Sequence, residues 1–183
     1  LNLRALSPDP PPELSDLYPR EGYARSQEYT RVKTRFGLIS STFDLIGLLA
    51  FWGFGGFAWL DQLTRSAGHG PIVTGLLFVG ALLLLHTLVS LPFRWYSVFR
   101  IEERFGFNRT GARTFWVDQI KGLALGALLG GGLLALVLFF FERTGSSAWL
   151  WCWAVVAIFT LVLQRVAPTW ILPIFMKFEP LEE

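Results

Sequence analysis

Four polar side chains interrupt long apolar stretches of the 183-residue sequence, where they could line a polar cavity. They are Asp44, His86, Gln164 and Arg165. A charged side chain at the centre of a bilayer costs about 2.5–3.5 kcal/mol on insertion scales, so such residues usually face a partner or a water-filled cavity. We therefore predict that these four residues line a chamber. A packing contact of His86 and extension of Arg165 to the lipid headgroups are the simpler alternatives.

A second polar group lies in a dense charged and aromatic segment, residues 100–122, between two apolar stretches. Its candidate residues are Glu102, Arg104, Asn108, Asp118 and Lys121. Asp118 and Lys121 are three residues apart, a spacing that places both on one helix face and allows an ion pair. Asn108 and Thr110 have short polar side chains that can cap the helix that follows. We predict a polar junction that joins this loop to the start of the next helix. An ordinary interfacial loop, with arginines on lipid phosphates, is the alternative.

The sequence itself contains no recognisable catalytic or metal-binding constellation. Its two histidines, His69 and His86, are far apart, and His-Glu-x-x-His does not occur. Zinc sites need three or four clustered ligands, so we expect this chain to bind no metal. The net charge of +2 is too small to suggest a nucleic-acid partner.

Gly122, Gly126 and Gly130 recur at four-residue spacing, which is typical of a helix face that another helix approaches closely.

Composition indicates that membrane helices position these residues. Hydrophobic residues make up 52% of the chain and charged residues 16%, against about 25% charged in soluble domains. A helix that spans a bilayer needs about 20 mostly apolar residues, and lipid offers the backbone no other hydrogen-bond partner. We predict an all-α polytopic membrane protein with about four transmembrane helices and a structured cytoplasmic loop. The predicted spans are 37–60, 71–91, 120–141 and 148–167.

The basic residues near the span ends predict the orientation. Ten basic residues lie in the lead-in segment before the first span and in the loop 92–119, whereas only two lie in the loops 61–70 and 142–147. Because basic residues accumulate on the cytoplasmic side, this loop and both chain ends are predicted to be cytoplasmic. Residues 1–36 are predicted to form a cytoplasmic arm with a lead-in helix. The proline-containing tail, 168–183, is predicted to be a broken helix that leads to a domain absent from this chain. Because the chain begins with Leu1 and not with methionine, we expect it to be part of a longer protein.

The loop resembles that of the type I CaaX prenyl endopeptidases, the sterile-24-type membrane zinc metalloproteases. The family pattern is F-x-I-E-x-x-x-G-F-N, followed by a phenylalanine and D-x-x-K. The matching residues are Phe99, Ile101, Glu102, Gly106, Phe107, Asn108, Phe115, Asp118 and Lys121. The tail is similar to the family's proline-rich stretch at Pro173, Phe175, Lys177, Phe178, Pro180 and Leu181. Met176 stands where the family usually has a polar residue.

The resemblance implies that the chain is the N-terminal membrane domain of such an enzyme. Family members enclose an intramembrane chamber, and their His-Glu-x-x-His zinc site lies downstream of the tail motif. Zinc would then be a cofactor of the full-length protein, where it activates water for peptide hydrolysis. The implied partners are the lipid bilayer, the downstream catalytic domain of the same chain, and a prenylated or membrane-associated protein substrate. The implied location is a bacterial inner membrane, or the endoplasmic reticulum membrane if the chain is eukaryotic.

Two other functional classes remain compatible with the residues alone. A transporter or channel fragment would also contain polar residues within spans and a glycine-rich helix, although the paired broken helices of transporter repeats are not evident. A non-catalytic membrane scaffold that recruits a soluble partner is the other alternative. A His-Glu-x-x-His sequence in the downstream part of the parent protein would distinguish the protease from both.

Overall fold

The structure is a computed structural model that describes residue 3 and residues 6–11 and 19–176. Within these residues the regular structure is helical, which confirms the all-α polytopic fold class. The α-helices are α1 (Arg20–Gly53), α2 (Gly56–Ser66), α3 (Pro71–Tyr96), α4 (Ala112–Leu125), α5 (Gly131–Arg143), α6 (Ala148–Val166) and α7 (Leu172–Phe175). Wider π-helical turns join several of them, at Ser97–Glu102, Gly126–Gly130 and Ala167–Ile171.

Four helical segments in the described chain are long and apolar enough to cross a membrane. They are Arg20–Gly53, Pro71–Glu102, Ala112–Arg143 and Gly145–Phe175. Their apolar windows are between 0 and 6% buried within this chain. Apolar side chains on a water-soluble domain would be covered by their own core, so these faces belong against lipid or the rest of the protein. The chain is an integral membrane protein.

The first helix ends before the predicted end of its span, residue 60. α1 ends at Gly53, and Gly55 has a φ of +74°, in the left-handed region that glycine adopts without strain. A Cβ added at Gly56 would lie 2.5 Å from the ring of Phe51, so the chain can turn here only because position 56 has no side chain. Hydropathy continues through this turn, which is why an apolar run alone did not reveal it.

The other segments extend further than their apolar runs. α3 contains Pro92 and continues through a π-helical turn to Glu102, so much of the loop 92–119 is helical. The predicted broken-helix tail, 168–183, is helical as far as Phe175. Its π-helical turn contains Pro168, and such a wider turn accommodates a residue that lacks an N–H group and crowds the preceding turn. Residues 177–183 lie outside the described residues, and with them Lys177, Phe178, Pro180 and Leu181 of the tail motif.

Contacts divide the chain into two compact units, residues 1–61 with 82–110 and residues 62–81 with 111–183. In the first unit α1 runs antiparallel to the end of α3. The ring of Phe36 stacks on Tyr96 at 5.1 Å between centroids, and the rings of Phe43 and Phe93 are 5.0 Å apart. These aromatic contacts hold the lead-in helix beside the segment that continues into the loop.

In the second unit, Gly75 of α3 lies against Leu138 of α5. A Cβ at Gly75 would be 2.7 Å from Cδ1 of Leu138. The glycine series predicted to form a close packing face does not do so within the described chain. A Cβ at Gly122, Gly126 or Gly130 would meet nothing within 4 Å. Among the described residues, close approach between two helices is seen at Gly75 opposite Leu138, and no such contact is seen at the glycine series.

Candidate functional site

The buried apolar residues of the described chain concentrate around the polar loop. Ile101, Phe105 and Phe115 are each 5% exposed, whereas the faces of the membrane helices are open. Ile101 and Phe105 belong to the first unit and Phe115 to the second. Burial of Ile101 and Phe105 within the first unit shows that this end of the loop is a folded element and not only a connector.

Gly106 ends the helical part of the loop in a Schellman motif. Its φ is +77°. The N–H of Gly106 donates to the carbonyl of Glu103 at 3.0 Å, and the N–H of Phe107 donates to the carbonyl of Glu102 at 2.8 Å. These two bonds satisfy carbonyls that a helix end otherwise leaves free, and the left-handed position favours glycine. The left-handed backbone conformation at this position therefore explains why the loop motif has a glycine there.

The loop is held to α1 by a cluster that we call the loop clasp. Its members are Glu28, Tyr29 and Lys33 on α1, and Glu102, Arg104, Phe105 and Phe107 on the loop. At its centre, Nζ of Lys33 donates to the Tyr29 hydroxyl at 2.6 Å and to Oε1 of Glu102 at 3.0 Å. Tyr29 and Lys33 are four residues apart, so both project from the same face of α1. Glu102 therefore binds a pair of groups that the helix has already placed together.

A second ion pair and two ring contacts extend the loop clasp. Arg104 donates to Oε1 of Glu28 at 3.1 Å. The ring of Tyr29 lies 5.5 Å from that of Phe105 and 4.7 Å from that of Phe107, between centroids. Side chains of Arg104 and Glu28 are 67 and 54% exposed, so that pair contributes little to stability. Tyr29 contributes more, because its ring packs in the loop and its hydroxyl accepts from Lys33.

The environment of Lys33 raises its pKa above the ordinary value of 10.5. The largest cause is the hydrogen bond to the Tyr29 hydroxyl; partial burial opposes it, and the hydrogen bond and charge of Glu102 add to it. Lys33 is thus protonated throughout the physiological range and remains a permanent cation in the loop clasp.

The capping role predicted for Asn108 and Thr110 is wrong. α4 begins at Ala112, its N-cap residue is Gly111, and no side chain caps it. Oδ1 of Asn108 instead accepts a hydrogen bond from the backbone N–H of Thr110 at 2.8 Å. This is an Asx-type turn, which short polar side chains form as readily as caps. Asn108 therefore shapes the loop locally, four residues before the helix begins.

Lys121 holds the end of the fourth helical segment. Its Nζ donates to the backbone carbonyl of Ile174 at 2.7 Å and lies 5.8 Å from the centre of the Phe175 ring. The predicted partner, Asp118, is 4.0 Å away. A lysine that binds a carbonyl in the last turn of a helix satisfies a group left free there. α7 ends at Phe175, and Met176 is extended with φ −128° and ψ 139°.

Four of the five junction candidates form two separate sets of contacts, and the fifth, Asn108, contacts only Thr110 among the hydrogen bonds described above. Glu102 and Arg104 contact α1 within the first unit, while Asp118 and Lys121 contact each other and the tail within the second. Their predicted role as a junction to a catalytic domain stays a prediction.

That the four chamber candidates line one chamber stays a prediction. Asp44 and His86 belong to the first unit, and Gln164 and Arg165 to the second. His86, Gln164 and Arg165 are exposed. Asp44 is half-buried, and its Oδ1 is buried with no hydrogen-bond partner in the part of the chain that the structure describes. Buried polar atoms are nearly always paired, so this oxygen calls for a donor beyond these residues.

The described residues do not fit a zinc ion. Among residues 3, 6–11 and 19–176, no three of His, Cys, Asp and Glu come together as a metal would require. Free thiol ligation is also disfavoured, because Sγ of Cys152 donates to the carbonyl of Val137 at 3.6 Å within the apolar helices.

Sequence reasoning missed the α1 side of the loop clasp. Glu28, Tyr29 and Lys33 were counted only as part of a charged lead-in helix. The four-residue spacing of Tyr29 and Lys33 was the available signal, since it places a ring and a base on one helix face. The carbonyl of Ile174 offered no such signal, because every residue has a backbone carbonyl.

Comparison with known proteins identifies the family. A family model described as CAAX prenyl protease N-terminal, five membrane helices, matches residues 1–177. The chain is 33% identical over 186 residues to a probable CAAX prenyl protease 1 of Schizosaccharomyces pombe, covering 94% of this chain and 39% of that protein. It is 32% identical over 184 residues to the CAAX prenyl protease 1 homolog of Homo sapiens, covering 94 and 38%.

A solved structure agrees with these relatives. The crystal structure of S. mikatae Ste24p matches with a TM-score of 0.85 and 30% identity, over 96% of this chain and 42% of that chain. The chain thus spans about two fifths of the length of the proteins it matches. Since the family model covers nearly all of the sequence and the fold agrees, the resemblance of the loop is confirmed, and the chain belongs to the CAAX prenyl protease N-terminal family.

Proposed function

We propose that this chain is the membrane domain of an integral-membrane zinc metalloendopeptidase and forms part of an intramembrane chamber. The observation that carries the proposal is the agreement of fold with Ste24p, at a TM-score of 0.85 over 96% of the chain. The catalytic zinc and its ligands would come from the part of the protein that follows. Alone, the chain would be inactive. Substrates would be prenylated or membrane-associated proteins that enter from the membrane.

The role of the described residues in that enzyme is to position elements. The loop clasp holds the loop against α1, with Glu102 between Lys33 and the helix-ending turn. Lys121 holds the tail through Ile174, and in the proposed enzyme the tail would lead toward the catalytic domain. The unpaired Oδ1 of Asp44 supports the chamber assignment, since water or a donor from the remainder of the protein would satisfy it.

We also propose that the arm, the loop 92–119 and the tail are cytoplasmic. The support is the excess of basic residues, ten against two, beside these segments. Single cysteines at Ser97 and Ser147, with Cys152 replaced, would be exposed to an impermeant thiol reagent in intact cells. Labelling of residue 147 and protection of residue 97 is expected, and the reverse pattern would overturn the orientation. The bacterial inner membrane, rather than the endoplasmic reticulum, stays a prediction.

Proteolysis by the full-length protein tests the functional proposal. The Glu102→Ala and Asp118→Ala variants should cleave a prenylated peptide more slowly per inserted molecule, because each disturbs a contact that positions the loop or the tail. Arg113→Ala is the control, because Arg113 is exposed and matches no position of the family pattern. Activity equal to wild type in all three would reduce the loop to a connector. Failure of the wild-type protein to cleave any prenylated or membrane peptide would favour the scaffold or transporter alternatives.

A further inference from the structure

The connection between the first two membrane segments contains an amphipathic helix, α2, that is too short to cross a bilayer. Its 11 residues, Gly56–Ser66, measure about 16 Å at 1.5 Å per residue. A hydrocarbon core is about 30 Å thick. α2 follows α1 after a two-residue turn and is followed at Pro71 by α3, and both neighbours belong to membrane-crossing segments. Both ends of α2 are therefore kept close to one face of the bilayer.

The side chains of α2 divide into three sides. Leu60 and Thr64, four residues apart, are 6 and 7% exposed, so this side is packed on the protein. Trp59 and Leu63, also four apart, are 62 and 52% exposed and form an open apolar side. The polar side, away from Trp59 and Leu63, contains Asp61 and Arg65, four residues apart, and Arg65 is exposed. The apolar side that remains open has no cover within the described chain.

The turn before α2 carries further exposed aromatic residues. Trp52 is 69% exposed and Phe54 is 91% exposed. The apolar part of α1, residues 37–53, is about 25 Å long at 1.5 Å per residue, slightly less than the hydrocarbon thickness. The turn at Phe54 therefore falls at the boundary between acyl chains and headgroups, not in bulk water. Tryptophan side chains favour this depth because their apolar rings carry a polar N–H group.

The direction of α2 is fixed by local packing. The absent side chain of Gly56 admits the ring of Phe51, which would lie 2.5 Å from a Cβ there. The rings of Phe51 and Phe57 meet edge to face, with centroids 4.9 Å apart. These contacts tie the first turn of α2 to the last turns of α1. The helix therefore holds a set direction relative to the span that precedes it.

We propose that α2 is a membrane-surface helix whose partner is the headgroup region of the bilayer, with Trp59, Leu63 and Phe54 inserted at the acyl-chain boundary. The open apolar side lies against lipid, Leu60 and Thr64 pack on the protein, and Arg65 faces water. Lipid is favoured over a protein partner because α2 continues directly from a span that already lies in the bilayer. The proposal does not depend on proteolytic activity.

Depth measurements on the full-length protein in phosphatidylcholine vesicles test this proposal. Single cysteines replace Trp59 or Arg65 in a background without other cysteines, and each carries an environment-sensitive fluorophore. The label at position 59 should be quenched by lipids that carry a nitroxide near the headgroup and protected from aqueous iodide. The matched label at position 65 should show the opposite pattern.

Two outcomes would overturn the proposal. Quenching of position 59 by iodide would place this side in water, and quenching by neither reagent would mean that protein covers it. The Trp59→Phe variant provides a second measurement that keeps an apolar ring. Subtracting its intrinsic fluorescence from that of the wild type isolates Trp59, whose emission should be lost in lipids brominated near the headgroup. Persistence of that emission would contradict a position among the lipids.

Discussion

The ammonium of Lys33 lies 3.0 Å from a carboxylate oxygen of Glu102, across 69 residues of sequence. Their side chains are 49 and 24% exposed, so the pair is only partly shielded from water. What makes the contact specific is its setting. Tyr29 accepts from the same ammonium, and the backbone carbonyl of Glu102 is the acceptor in the turn that ends the loop helix. One residue of the loop thus binds α1 and terminates its own helix.

A double-mutant cycle with Lys33→Met and Glu102→Gln should give a coupling free energy of about 0.2–1 kcal/mol, as expected for a partly exposed ion pair. The measurement is thermal or denaturant unfolding of the full-length protein in detergent. Arg113→Ala serves as the unpaired control and should leave the stability unchanged. A coupling energy of zero would show that the two side chains do not interact in the membrane protein.

The contribution of Lys33 should be independent of pH over the physiological range. A raised pKa means that the folded state binds the proton more tightly, so this stabilisation is complete below the ordinary pKa of 10.5 and is lost as pH rises through the folded value. The difference in unfolding free energy between wild type and Lys33→Met should be constant from about pH 6 to 9 and shrink above about 10.5. A decrease already near neutral pH would be inconsistent with this assignment.

Removing the Lys121 ammonium should free the end of the fourth helical segment. In Lys121→Met the carbonyl of Ile174 loses its donor, whereas Lys121→Arg retains a cation that can reach it. A cysteine at Met176 should react faster with a thiol reagent in the first variant and at the wild-type rate in the second. Asp118→Asn should have the smaller effect, since that carboxylate is 4.0 Å from the ammonium. Equal reactivity in all variants would indicate that the prolines of this segment, and not Lys121, fix the end of the helix.

The contact between Gly75 and Leu138 should tolerate only a small residue at position 75. Gly75→Leu should destabilise the protein by about 1–3 kcal/mol, because a larger side chain must displace Leu138. Combining it with Leu138→Ala should restore part of that loss, measured as the unfolding temperature in detergent. Gly80→Leu is the matched control on the same helix, since a Cβ there meets nothing within 4 Å. Equal losses at both glycines would rule out a specific contact.

Sequence reasoning located the loop correctly but assigned some of its contacts wrongly. The polar segment 100–122 was recognised, and Asp118 and Lys121 do approach each other. Asn108 was expected to cap the following helix and instead accepts from Thr110. Caps and Asx turns use the same side chain and differ only in where the helix begins, which short-range propensity does not decide.

The sequence by itself determined the membrane-spanning helices and the family. The spans follow from the transfer of apolar side chains into lipid, which sums over the residues of each run. The family follows from a motif whose residues lie at fixed spacing in the sequence. Only the tertiary structure decided that Lys33 meets Glu102, that Lys121 binds the carbonyl of Ile174, and that the first helix turns at Gly55. The first two contacts join residues far apart in sequence, and a backbone carbonyl has no residue identity to read. The turn lies within an apolar run whose hydropathy stays high, so hydropathy does not reveal it. A glycine allows a turn but does not require one, and here the packing of Phe51 against Gly56 stabilises the turn.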